Sequence, residues 1–114
     1  MLTLEALKEA GADTADGMTR CMNNETFYLR LVKMALADNN FSRLREAVDA
    51  QDYKGAFECA PALKGMLGNV SLTSLVDPIA RITEALRPGD PVDVSGDLAF
   101  METELAKSRE LCAE

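Results

Sequence analysis

The sequence predicts an all-α fold, a bundle of long helices preceded by short ones. Three observations carry this. Apolar residues recur at three- and four-residue spacing through most of the 114 residues. No stretch alternates with the two-residue period of a half-buried strand. Asn, Asp, Gly and Pro clusters punctuate the chain at short intervals, so consecutive long helices are expected to pack antiparallel.

The first short helix is expected over 2–10, capped by Thr3, with Leu4 and Leu7 inward and Gly11 as a left-handed stop. A second runs over about 14–22, capped by Asp13, with Ala15, Met18 and Met22 at helical spacing. Asn23-Asn24 breaks the chain. The first long helix, 25–37, carries the wide apolar set Phe27, Tyr28, Leu31, Val32, Met34 and Ala35. Asp38-Asn39-Asn40 ends it, and 41–50 follows with Phe41, Leu44, Ala47 and Val48 inward. Asp52 caps a long central helix. After Asn69-Val70, Ser71 is expected to cap the next helix, to about Leu86, whose inner stripe is Leu72, Leu75, Val76, Ile79, Ile82 and Leu86. Pro78 falls towards its outer side, with a bend or a restart capped by Asp77. The turn RPGDPV leads into the last helix, 94–112, with Val94, Leu98, Met101, Leu105 and Cys112 inward. The methionines Met18, Met22, Met34, Met66 and Met101 read as core filler.

Composition narrows the function. Apolar residues at 47% and charged residues at 27% suit a folded soluble domain rather than a disordered chain. A net charge of −7 disfavours nucleic acid and anionic membranes, which need a basic footprint. No apolar run approaches the ~20 residues of a membrane span, and the acidic amphipathic start is unlike a signal peptide. Cys21, Cys59 and Cys112 are odd in number and widely spaced, and read as reduced hydrophobic residues of a cytoplasmic protein. There is no histidine, which excludes Ser-His and Cys-His nucleophilic systems and histidine metal sites. No phosphate-binding glycine loop or calcium loop is present, so no metal or cofactor is expected. Binding by a helical surface is the better expectation than catalysis.

The central stretch DYKGAFECAPALKGMLGNVSL sharpens this. At about 100° per residue, Ala56, Cys59, Ala60, Leu63, Met66 and Leu67 share the core arc. Lys54, Glu58, Pro61, Gly65 and Gly68 share the opposite arc, with Phe57 and Lys64 on the border. A proline inside a helix removes one hydrogen bond and clashes with the preceding turn, at a cost of about 3 kcal/mol. Its place on the exposed, convex side eases that cost, since water reaches the Phe57 carbonyl it leaves free.

This stretch resembles the active-site helix of the histidine phosphotransfer (Hpt) family of two-component signalling, whose pattern there includes A-H-x-L-K-G-x-x-x-N-hydrophobic-G. The match runs through Asp52, Ala60, Leu63, Lys64, Gly65 and Asn69. The two preceding helices and the opening LTLEALKEAGAD are also similar to free-standing members. The resemblance implies a single Hpt-like domain over 1–114, with short N-terminal helices at about 2–22 and an antiparallel four-helix bundle at about 25–113. It also implies a partner, the receiver domain of a response regulator or a histidine kinase.

The departure from the pattern decides the expected function. Pro61 stands at the phosphoacceptor histidine, and proline has no nucleophilic side-chain atom. Cys59 lies about 160° away around the helix, on the core face. Ser71 stands where the family has glycine. The resemblance therefore implies no catalysis and no phosphate carriage, but a docking face retained on Lys54, Glu58, Pro61, Ala62, Lys64, Gly65 and Gly68. The expected role is a cytoplasmic adaptor or competitor in a phosphorelay. The alternative is a helical scaffolding or oligomerisation module using the same small-residue face.

Overall fold

In a computed structural model, which describes residues 2–113, all regular secondary structure is α-helical. Seven helices follow one another: α1 (Leu4–Glu9), α2 (Thr14–Arg20), α3 (Glu25–Leu36), α4 (Asn40–Asp49), α5 (Tyr53–Asn69), α6 (Thr73–Leu86) and α7 (Ser95–Cys112). Local chemistry sets most of their starts. Thr3, Asp13, Asn24 and Asp52 each accept a hydrogen bond from the backbone N–H three residues on, at 2.9 to 3.1 Å, satisfying donors that a helix start leaves free. Asp38 and Asp93 do similar work two residues on, at the entries to α4 and α7.

The core is aliphatic. Leu63, Leu67, Leu75, Ile79, Ile82, Leu86 and Leu98 are fully buried, together with Ala56 and Ala60. α5 packs on α4 and α6, α6 on α7, and α7 returns to α3, while α1 and α2 pack on each other and α2 on α3. The whole measures 42 × 25 × 19 Å. α4 and α7 are joined by long side chains: Arg45 forms a two-pronged ion pair with Glu102, and Arg109 donates to the Leu36 carbonyl at 2.8 Å while lying over the Phe41 ring. No helix among the described residues is long and apolar enough to cross a membrane.

The corner between α5 and α6 departs from expectation. Ser71 does not cap α6. It sits at φ +57°, in the left-handed region, and is buried. Its hydroxyl donates to Asp16 of α2 at 2.5 Å, and its carbonyl accepts from the Asp13 N–H at 2.9 Å. α6 starts from Leu72 with no side-chain cap. Alongside, the buried Tyr28 hydroxyl donates to the Val70 carbonyl at 2.8 Å. Gly17 lies so close under the Tyr28 ring that a β-carbon there would come within 2.4 Å of it. The short N-terminal helices are thus fastened to the exit of α5.

Two further expectations are corrected. Pro78 is buried within an uninterrupted α6, neither outward nor a restart. α6 is covered by α5 on one flank and α7 on the other, which widens its buried arc beyond the stripe of aliphatic residues. Among the methionines expected inside, Met101 is buried and Met18 and Met66 are half-buried, but Met22 and Met34 are 85% and 64% exposed. Tyr28, Val32, Ala35 and Leu36 take the core side of α3 and leave Phe27 at its surface, 43% exposed. Ala15 is exposed, and Gly17 takes the buried place on α2.

Candidate functional site

α5 remains helical through Pro61, and its two faces separate as its sequence directs. Ala56, Cys59, Ala60, Leu63 and Leu67 are buried. Lys54, Glu58, Pro61, Ala62, Lys64 and Gly65 are exposed, and Gly68 is half-buried. The seven residues expected on the docking face therefore share one side of one helix.

Packing inside the fold does not require glycine at Gly65 or Gly68. A β-carbon added at Gly65 or Gly68 would meet nothing within 4 Å. Glycine in a helix interior is less stable than alanine by about 0.5–1 kcal/mol, because it loses more backbone freedom on folding. Internal packing does not account for these glycines. With Pro61 and Ala62, they leave a surface that another backbone can approach closely.

Charged side chains flank the face. Lys54 and Lys64 on α5, and Arg43 on α4, which lines a cleft with Gly55 and Glu58, make no ion pair with a described residue. By contrast, Arg81 and Arg87 of α6 are paired to Asp97 and Glu84. Arg87 also places its guanidinium 5.4 Å from the centre of the Phe57 ring. Glu84 lies below the usual carboxylate range because Arg87 hydrogen-bonds it, with Lys64 adding a smaller attraction. Arg87 and Glu84 belong to the border of the site and were not apparent from sequence. Their distance along the chain hid them, although the apolar border position of Phe57 signalled a neighbour.

Between α3 and the second half of α5 runs an apolar groove of about 460 Å³, lined by Leu31, Met34, Ala35, Met66, Asn69 and Val70. Another cleft, of about 640 Å³ between α4 and α7, is spanned by the Arg45–Glu102 pair. Among the described residues no group of three or more Cys, Asp or Glu could hold a metal ion. All three cysteines are free, and burial pushes the Cys59 and Cys112 thiols above their usual range, away from the reactive thiolate.

The exposed residues of α5 include no histidine, cysteine, serine or threonine. Ser71, the hydroxyl nearest the end of α5 in sequence, is turned inward to Asp16. No protein-family model matches the chain, and neither a curated protein nor a solved structure matches it at a significant level.

Proposed function

We propose that this chain is a non-catalytic, Hpt-like pseudo-phosphotransfer protein of two-component phosphorelay signalling. Its α5 face docks a response-regulator receiver domain or a histidine kinase and carries no phosphate. The observation that carries the reading is the open glycine pair, Gly65 and Gly68, beside an exposed Pro61 in the register of the phosphoacceptor. Two helical glycines that cost stability and pack against nothing internal are accounted for by close approach of a partner.

The helix arrangement supports the same reading. α5 packs on α4 and α6, α6 on α7, and α7 on α3. These neighbours are compatible with the four-helix bundle that the resemblance implies, with α1 and α2 as short additions. Pro61 removes the nucleophile, and the absence of histidine leaves no nearby substitute.

Pro61→His tests the reading directly. If the docking face is intact, the folded variant gains acid-labile phosphate from a phosphorylated receiver of the same organism, while the parent protein does not. A folded variant that takes phosphate from no receiver, with no receiver captured by the parent protein, refutes the reading.

A further inference from the structure

Ser71 holds a backbone conformation that a side chain disfavours. Of the four residues other than glycine with left-handed backbone, Met22, Asn23 and Gln51 are exposed and Ser71 is buried. This conformation closes α5. The Leu72 N–H donates to the Leu67 carbonyl and the Ser71 N–H to the Gly68 carbonyl, each at 3.1 Å. Glycine is the usual residue at such a helix ending, because a β-carbon crowds the backbone there. A serine in that place needs support from outside the turn.

The N-terminal helices supply it. The Asp13 N–H donates to the Ser71 carbonyl at 2.9 Å while the Asp13 side chain caps α2, so α2 starts and docks at one residue. Asp16, in the first turn of α2, accepts from the Ser71 hydroxyl at 2.5 Å. Gly17 leaves no room for a β-carbon beneath the Tyr28 ring, whose hydroxyl holds the Val70 carbonyl. Gly11, between α1 and α2, lies against Ser74, whose Cβ would stand 2.8 Å from an added β-carbon. Each of these contacts leads to residues 70–74, the corner from α5 to α6.

α1 and α2 depend on that corner in turn. They have six and seven residues, below the ~12–15 at which an isolated helix becomes stable in water. α1 packs on α2, and α2 on α3, far more lightly than α5 packs on α4 and α6. Leu2, Leu7 and Ala12 are their buried apolar anchors. A segment of this kind opens at a lower free energy than the core does.

We infer that α1 and α2 form a clasp that opens and closes as one unit, and that its closing holds Ser71 left-handed and so orders the exit of α5. With the clasp open, Ser71 loses both bonds to the N-terminal segment, and the turn that ends α5 at Gly68 and Asn69 loosens. The clasp needs no partner on α5 and stands apart from the docking reading.

Native-state amide exchange, followed residue by residue by NMR on the full chain, tests this. Asp16→Ala removes the acceptor for the Ser71 hydroxyl, and Gly17→Ala drives a methyl group into the Tyr28 ring. In either variant the α1 and α2 amides and the Leu72 amide should quicken together, roughly tenfold or more over the parent protein. Ile82 and Leu98, fully buried in α6 and α7, should keep their rates. Adding Ser71→Gly should return Leu72 towards its parental rate while α1 and α2 stay fast, since glycine holds the left-handed turn unaided. Rates unchanged in both variants, or acceleration in Asp16→Ala that reaches Ile82 and Leu98 alike, overturn the clasp as a separate unit. A Leu72 amide that stays slow while α1 and α2 quicken, or stays fast after Ser71→Gly, overturns its hold on Ser71.

Discussion

The Tyr28 hydroxyl donates to the Val70 carbonyl at 2.8 Å across 42 residues of sequence, tying α3 to the exit of α5. Both groups are out of water, so each is costly to leave unpaired. Tyr28→Phe removes the donor, keeps the ring over Gly17, and strands the carbonyl. It should lower unfolding free energy in urea by about 1–2 kcal/mol. Burial also pushes the Tyr28 phenol up to about 12 from 10.0. A raised phenol favours the neutral form in the folded state, so its contribution is complete below pH 10 and is lost as pH rises towards 12. The stability gap between the parent protein and Tyr28→Phe should therefore narrow over that range. A constant gap from neutral to strongly alkaline pH would contradict the buried placement.

Ser71 and Asp16 fasten the same corner by a different chemistry. The Ser71 hydroxyl, with Arg20 second, holds the Asp16 carboxyl below its usual value of 3.8. A depressed carboxyl contributes stability that is present above the unfolded value and lost as pH falls through the lower folded value. Ser71→Ala should thus be less stable than the parent protein at neutral pH, and the difference should close in strong acid. NMR titration of Asp16 should show its midpoint rising in the variant. An unchanged midpoint would show that Arg20 alone holds the carboxylate.

Much of this fold can be read from the sequence because it rests on local rules. Asp13, Asn24 and Asp52 are caps with short polar side chains placed before apolar periodicity, and each caps its helix. The two faces of α5 follow from the same periodicity. What escapes sequence is set by contacts between distant segments. Ser71 has the chemistry of a cap, but Asp16, 55 residues away, competes for its hydroxyl. The left-handed backbone at Ser71 then suits the tight exit from α5. Pro78 is buried because two helices cover α6, a fact about neighbours that a single-helix projection does not contain. Phe27 and Met34 fit an apolar stripe on α3, but Tyr28, Val32 and Leu36 fill the available core first. The face proposed for docking is local to α5, whereas its Arg87 border and the groove beside it depend on packing.

Gly65 separates stability from binding. With nothing within 4 Å of an added β-carbon, Gly65→Ala should stabilise the fold by about 0.5–1 kcal/mol. The same methyl group holds a partner backbone away, so the variant should bind a receiver more weakly than the parent protein does. Paired urea melts and titrations check both halves. A variant that is more stable and binds equally well would remove close approach as the reason for this glycine.

Pro61 makes the opposite comparison. In α5 it cannot donate to the Phe57 carbonyl, although the helix runs unbroken from Tyr53 to Asn69. Pro61→Ala restores the donor and removes the ring clash. Stability should rise by about 1–3 kcal/mol, short of the full helix-interior cost because Pro61 lies at the exposed surface. Amide exchange in the turn around Phe57 should slow in step. Binding then distinguishes two histories for the residue. If Pro61 shapes the face, Pro61→Ala is more stable but binds a receiver less tightly. If Pro61 only fills a site whose chemistry is gone, binding is unchanged or improves as the helix firms. A fall in stability would show that the α5 backbone around Phe57 is built for the proline, and that the alanine helix no longer fits its neighbours.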